Sequence, residues 1–409
     1  MLPEGWAIQT LESLASVKRG KFTPRPRNDP RYYGGQMPFV QTGDVTSAGK
    51  YLTEFSQTLN DEGVGVSKVF PPNSILITIA ANIGHTAITT FDVACPDSVV
   101  GIQPIEDRCD VLWLKDVLET KREELDGLST QNAQKNINLE VLKPLSIVTP
   151  PLPEQRKIAE ILSTWDAAIG AQEQLIANAR AQKKALMQTL LPTGAHPPKK
   201  RLPGFSGEWR SVCLGDIGKL RKGKGIQRDQ VRAMGFPCIR YGEIYTQHHE
   251  QVRQFHSFID AETASESEPI SAGDILFTCS GETAEEIGKC VAYLGREKAY
   301  AGGDIIILSP TADNAAFLGY VLNDTDVAEQ KRRFGQGNSV VHISAANLSK
   351  LTFRLPRRPE QDAIASVLDD ATIHIDGLAV ELAVLRQEKS ALMQQLLTGK
   401  RRVKVREAA

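Results

Sequence analysis

Two clusters of cations sit on glycine turns at matching places in the chain. Val17–Lys21 reads VKRGK and Leu220–Lys224 reads LRKGK. The first supplies Lys18, Arg19 and Lys21, followed by Arg25 and Arg27, against a single acid, Asp29. The second supplies Arg221, Lys222 and Lys224, set against Asp229. Phosphate contact needs cations on a backbone that approaches closely, and glycine permits that approach. Reading bases needs side chains with directed hydrogen bonds. Gln41 and Thr42 occupy the slot of Arg240 and Tyr241, each pair ahead of a GD or GE turn, while Asn82 and His85 fall near the slot of Ser280 and Glu282. Unlike chemistry in equivalent slots is what two domains reading different sequences require. Gln131, Asn132, Gln134 and the FGQGN run Phe334–Asn338 are placed either to serve DNA or to cap turns.

Catalytic signatures are missing. No G-x-x-x-x-G-K-[ST] phosphate loop occurs. FPPN at Phe70–Asn73 has its residues in the wrong order for an amino-methyltransferase motif and reads as a turn. Pro96-Asp97 is not read as the opening of a nuclease carboxylate pair. The seven histidines show no metal spacing, and His248-His249 reads as a solvated loop pair. The six cysteines form no C-x-x-C and read as reduced thiols of a cytosolic protein. No signal peptide and no membrane-spanning run is visible. The net charge of −1 excludes a uniformly basic nucleic-acid coat but not local patches.

The elements that position these residues are written twice. PPLPEQRKIAEIL at Pro150–Leu162 returns as PRRPEQDAIASVL at Pro356–Leu368, and 32 residues separate Glu154 from Leu186 and Glu360 from Leu392. Trp6 and Leu11 at the start of one half correspond to Trp209 and Leu214 in the other. Short β-branched runs follow, SILITIAANIG mirroring DILFTCSGET, then a helical stretch near Leu112–Leu125 or Ala315–Lys331, then a return strand. After it the apolar period becomes 3.5. The first seam runs through Ile158, Leu162, Trp165, Ile169, Gln172, Ile176, Ala179, Lys183, Leu186 and Leu190. The second runs through Ile364, Leu368, Ala371, Ile375, Leu378, Leu382, Leu385, Lys389, Leu392 and Leu396. Alternating steps of three and four over more than four heptads specify a coiled coil. Pro153 and Pro359 suit a first helical turn, and Gly194 and Gly399 a C′ position.

Each helix spans roughly 58 Å at about 1.5 Å per residue. Each needs a partner, and the other copy is the available one. Antiparallel packing sets the two globular domains at opposite ends of a rod and leaves Lys183 and Lys389 near opposite ends, where each can snorkel. The expected fold class is α+β: two mixed α/β domains separated by two long helices in an antiparallel coiled coil, with a pseudo-two-fold internal repeat. The expected limits are 1–150 and 195–357 for the domains, 151–194 and 358–400 for the helices, and 401–409 for a basic tail.

The duplicated P-x-x-P-E-Q-x-x-I-A-x-[IV]-L, the long helix ending near L-M-Q-x-L-L, and EWRSVCLGDIG at Glu208–Gly218 resemble the specificity subunits of type I restriction–modification systems. That resemblance covers nearly the whole chain. It implies two target-recognition domains, each reading half of a split, asymmetric site on double-stranded DNA, with the helices as spacer. It implies a non-catalytic prokaryotic, cytoplasmic subunit that recruits two methyltransferase subunits and, through them, restriction subunits. S-adenosylmethionine, ATP and Mg then belong to those partners, and the chain itself takes no cofactor, metal or membrane. One departure is Arg358, where the first copy has Leu152, which predicts a more exposed helix entry. The competing readings are a coiled-coil scaffold that does not read DNA, and an enzyme in its own right.

Overall fold

The computed structural model of the protein describes residues 2–129, 136–192, 196–281, 283–337 and 340–405. Gln131, Asn132, Gln134, Gly194, Glu282 and Asn338 lie outside the described residues. Two compact units emerge: Met1–Glu173 with Glu381–Ala409, and Gln174–Val380. The boundary crosses both long helices, Leu152–Leu190 and Arg358–Leu396. Each unit therefore holds one globular region and a part of each helix.

In the first unit a five-stranded sheet runs in the order Ala15–Arg19, Val99–Pro104, Ile75–Thr78, Thr86–Thr89, Tyr51–Leu52. Ile75–Thr78 is buried at every residue, because the sheet is covered on both faces, and it reads as continuous β-branched and leucine side chains instead of an alternation. A four-stranded sheet, Gln57–Leu59, Tyr33–Phe39, Val93–Cys95 and Lys68–Phe70, completes the region. The second unit repeats the plan. Its five-stranded sheet is Gly218–Lys222, Ile305–Pro310, Ile275–Thr278, Cys290–Tyr293, Gln251–Val252, and its four-stranded sheet is Ser257–Ile259, Phe236–Ile239, Ala299–Ala301, Glu268–Ile270.

Each single helical stretch expected between the sheets is two helices. Val111–Thr120 is followed by Arg122–Ser129, and Ala315–Val321 by Thr325–Phe334. In the second unit the break is held by Asn323, whose amide donates to the Cys290 and Gly319 carbonyls at 2.7 and 2.9 Å. Side-chain competition for backbone groups ends the first helix there.

Every a and d position of the two long helices is buried or half-buried, which accounts for Ile158, Leu162, Ile169, Ile176 and Leu186, and for Ile364, Leu368, Ile375, Leu382 and Leu392. In the first unit the helices run antiparallel. Ile158 and Leu162 share a core with Met393 and Leu396, Asp166 pairs with Lys389, and Glu173 pairs with Arg386. In the second unit Leu190 and Leu191 share a core with Ile364 and Leu368.

The PEQ repeat staples each helix to its globular region. Gln155, 1% exposed, donates to the carbonyls of Arg108 and Pro150 and accepts from the Asp110 N–H, all within 3.0 Å. Gln361 donates to the Asp313 carboxylate and the Pro356 carbonyl and accepts from the Asn314 N–H. Both acceptors tie down the loop that caps the next helix: Asp110 Oδ1 receives the Leu112 and Trp113 N–H groups, and Asn314 Oδ1 receives that of Phe317. Glu154 accepts from the Trp6 indole at 3.1 Å and from Arg402 of the C-terminal segment at 2.5 Å. Glu360 pairs with Arg201 of the segment linking the halves. Gly399 closes the second helix at φ +74°, where a Cβ would lie 2.8 Å from Pro3. Arg358 is exposed, as its charge requires, yet it is anchored to Asp362 and the Ala312 carbonyl at 2.7 Å.

The seam lysines do not snorkel into water. Lys389 and Lys50 flank Asp166 at 2.5 and 3.1 Å, with Asp116 fully buried nearby. Lys183 pairs with Glu250 at 3.0 Å and lies 5.3 Å from the centre of the Tyr320 ring. Both ammonium groups are half-buried, so each takes a partner from its own unit in place of solvent.

Candidate nucleic-acid interface

The glycine turns are built on close contact within the protein. A Cβ on Gly20 would lie 2.1 Å from the Pro96 carbonyl oxygen, and one on Gly223 would lie 2.1 Å from that of Gly302. Both glycines are buried. They bring the end strand of the five-stranded sheet onto the second sheet, where Lys21 N–H donates to the Cys95 carbonyl and Lys224 N–H to that of Ala301. The close approach expected toward phosphate is made toward the protein's own backbone.

Around these turns the cations divide into two kinds. Lys18, Lys21, Lys222 and Lys224 are exposed and take no ion pair or side-chain hydrogen bond among the described residues. The arginines are occupied. Arg19 donates to the Asp97 carbonyl at 2.5 Å, Arg27 pairs with the Asp97 carboxylate at 2.7 Å, and Arg25 donates to the Pro24 carbonyl at 2.8 Å. Arg221 is half-buried, pairing with Glu268 at 2.9 Å and Asp274 at 2.7 Å and bonding Ser309. Its position in the repeat is that of Lys18, but it faces Glu268 and Asp274 in place of solvent.

The base-reading candidates begin two short helices, Thr42–Ser47 and Tyr241–Thr246. Gln41 and Arg240 precede them, and their N–H groups are capped by Asp44 and Glu243 at 2.8 and 3.1 Å. The Gln41 amide donates to Gln57 at 2.7 Å, and the Arg240 guanidinium lies 3.5 Å from Glu243. Thr42 is half-buried and Tyr241 is exposed. Asn82 is exposed and reaches Thr46 on the first short helix at 3.5 Å. His85 is half-buried; burial, then the charge of Arg122, lowers its pKa. Ser280 is buried, its hydroxyl 3.0 Å from His342 Nδ1 and its carbonyl accepting from the Tyr245 hydroxyl at 3.1 Å. Tyr241 and Ser280 line one cavity of about 480 Å³, together with Tyr245, Gly281, Glu286 and Val340. The basic turns belong to other elements and do not line it.

The slots align differently from the sequence expectation. Ile75 faces Ile88 across one hairpin and Ile275 faces Ala292 across the other, so the second hairpin is four residues longer. Thr78 N–H donates to the His85 carbonyl where Thr278 N–H donates to that of Lys289. His85 therefore corresponds to Lys289, and Asn82 to Glu286, not to Ser280 and Glu282. The repeated Ile-Gly of Ile83-Gly84 and Ile287-Gly288 carried that signal in the sequence. His342 and Val340 were likewise missed. His248 is 2% exposed, not solvated; burial holds its pKa down to about 4 although Glu243 opposes the shift.

A family model, the type I restriction modification DNA specificity domain, matches the chain twice, over residues 3–179 and 206–382. The chain belongs to that family. It is 26% identical over 98% of its length to the type I restriction enzyme MjaVIII specificity subunit of Methanocaldococcus jannaschii, covering 94% of that protein. It is 24% identical, over 98% of its length and 95% of the relative, to the putative MjaX specificity subunit of the same organism. The fold matches the crystal structure of the type I S subunit from M. genitalium at 17% identity and TM-score 0.59, with 96% of each chain covered. A chain solved in a study of complex assembly and conformational transition of the type I R–M system matches at 16% identity and TM-score 0.62, over 98% of this chain and all of that one. No helix among the described residues is long and apolar enough to cross a membrane.

Proposed function

We propose that this chain reads DNA for a type I restriction–modification complex, each globular region recognising one half of a bipartite, asymmetric site. The long helices set the gap and recruit two methyltransferase subunits and, through them, restriction subunits. The chain performs no chemistry itself; S-adenosylmethionine, ATP and Mg act on the partners, in the cytoplasm of a prokaryotic cell. The domains are 1–150 and 195–357, joined by the long helices Leu152–Leu190 and Arg358–Leu396.

One observation carries this reading. The packing residues of the two hairpins repeat, with Ile83-Gly84 matched by Ile287-Gly288, while the outward positions differ: Thr42 against Tyr241, and Asn82 against Glu286. A shared frame with unlike outward chemistry suits readers of two different half-sites, whereas a scaffold has no use for the difference. Lys18, Lys21, Lys222 and Lys224 supply cations for phosphates, and Gln41, Thr42, Asn82, His85, Arg240, Tyr241 and Ser280 stand on or near the reading loops.

The test is to express the full chain with its methyltransferase subunits and map genomic methylation. A split, non-palindromic motif is expected. Removing one heptad from each long helix should shorten the gap and preserve both half-site sequences. An unchanged gap would overturn the spacer role, and the absence of any bipartite motif would overturn the reading.

A further inference from the structure

The cavity beside the second short helix has the properties of a base-edge pocket. Its volume of about 480 Å³ is within the range of small-ligand sites. The backbone opens it at Gly281, where a Cβ would lie 2.8 Å from the Tyr245 hydroxyl. Tyr241, 42% exposed, and Val340, 47% exposed, give it apolar walls open to solvent.

The polar lining is nearly all spoken for. The Tyr245 hydroxyl bonds Thr278 at 2.7 Å and the Ser280 carbonyl at 3.1 Å, and the Ser280 hydroxyl bonds His342 at 3.0 Å. The Tyr241 hydroxyl and the Glu286 carboxylate are the exceptions. Glu286 is exposed, and among the described residues no hydrogen bond or ion pair engages its carboxylate. A carboxylate only accepts hydrogen bonds, and beside a phosphate backbone it is repelled unless a donor meets it. In the major groove the exocyclic amines of cytosine and adenine are such donors. Adenine sets its N7 acceptor beside the amine, against a second carboxylate oxygen; cytosine does not.

We infer that this cavity receives the major-groove edge of a cytosine in the second half-site, with Glu286 accepting from its N4 amine between Tyr241 and Val340. The inference rests on the proposed DNA-reading function and adds the base class and the residue that selects it. The equivalent position in the first unit, Asn82, carries an amide, whose donor and acceptor pair with N7 and N6 of adenine. One loop position, just ahead of the Ile-Gly turn, thus selects cytosine in one half-site and adenine in the other.

The experiment uses the full chain co-expressed with its methyltransferase subunits, with methylation motifs mapped for the wild type, Glu286→Ala, Glu286→Gln and Glu286→Asn. In the wild type the second half-site should contain a cytosine. Glu286→Ala should relax one cytosine position, lowering its preference roughly ten- to a hundredfold. Glu286→Asn should move that position toward adenine. The first half-site and the gap serve as internal controls and should be unchanged. A wild-type second half-site without cytosine, or a cytosine preference intact in Glu286→Ala, would overturn the inference while leaving the bipartite motif standing. Loss of all methylation in both Glu286→Ala and Glu286→Gln would also overturn it, by assigning Glu286 a structural role. A wild type without any bipartite motif would defeat the underlying reading instead.

Discussion

The ammonium of Lys389 lies 2.5 Å from Oδ1 of Asp166, a pair formed between the two long helices within the first unit. Burial alone would raise the pKa of Asp166, but the hydrogen bonds from Lys389 and Lys50 hold it below the ordinary carboxylate value. Burial lowers the pKa of Lys389, and Asp166 more than reverses that. Replacing Lys389 with Met should destabilise the first unit by about 1–2 kcal/mol. The effect should nearly vanish in an Asp166→Asn background, because the two changes share one interaction. Chemical denaturation of the four proteins of that cycle measures the coupling, and a coupling near zero would show that the pair is incidental.

Asp116 gives the first unit an inverted pH response. It is fully buried, and among the described residues neither carboxylate oxygen has a hydrogen-bond partner. Burial pushes its pKa up to about 6, against the pull of Lys115, Lys50 and Lys389. Between the ordinary aspartate value and pH 6 the folded protein holds a proton that the unfolded chain has released. The stability contributed by this group therefore falls as pH rises through that window, and the penalty is complete above it. Asp116→Asn should raise stability at pH 7.5 by roughly 1–3 kcal/mol and leave it unchanged near pH 4. Thermal melts of both proteins across pH 4–8 provide the check, and parallel curves would refute it.

Gln155 and Gln361 are the residues whose loss should cost most for their size. Gln155→Ala strands the Arg108 and Pro150 carbonyls and the Asp110 N–H, Gln361→Ala strands the Pro356 carbonyl and the Asn314 N–H and takes a donor from the Asp313 carboxylate, and each orphaned group costs on the order of 1 kcal/mol or more. A loss of about 2–4 kcal/mol is expected in the unit concerned, with the other unit unaffected. Hydrogen exchange at the Asp110 and Asn314 amides reads the two sites separately. Unchanged protection at Asp110 in Gln155→Ala would contradict the staple.

Arg221 and its neighbour Lys222 should part company on substitution. Arg221→Ala leaves Asp274, which is nearly buried, without its cation, so the second unit should lose about 2–4 kcal/mol. Lys222→Gln and Lys224→Gln leave the fold intact. Together they should weaken DNA binding across all sequences and reduce the salt slope by about two. Folding melts beside salt titrations of binding separate the two outcomes, and an unaltered slope would exclude the lysines from the phosphate contact.

The long helices were legible because a 3.5-residue seam states its own geometry. Even Gln172, Lys183 and Lys389, polar residues on the seam, are sheltered as their positions required. The globular regions were legible as strands and turns wherever β-branched runs meet glycine or proline. Partner choice was hidden. Nothing in LRKGK says that Arg221 is spent on Glu268 and Asp274, since those acids lie some fifty residues away in sequence and reach it only through sheet register. The pairing of Asn82 with Glu286 was hidden by the longer hairpin, which slides the second copy past an alignment by simple offset. His248 looked solvated because burial of one loop imidazole leaves no periodic trace.

Arg402 and Arg201 come from segments with different fates, one the end of the chain and one the join between its halves. Both close on the glutamate that starts a long helix. Each long helix is thus fastened at its start by an arginine that follows the other long helix, so a change at either arginine would loosen a helix whose own sequence is untouched.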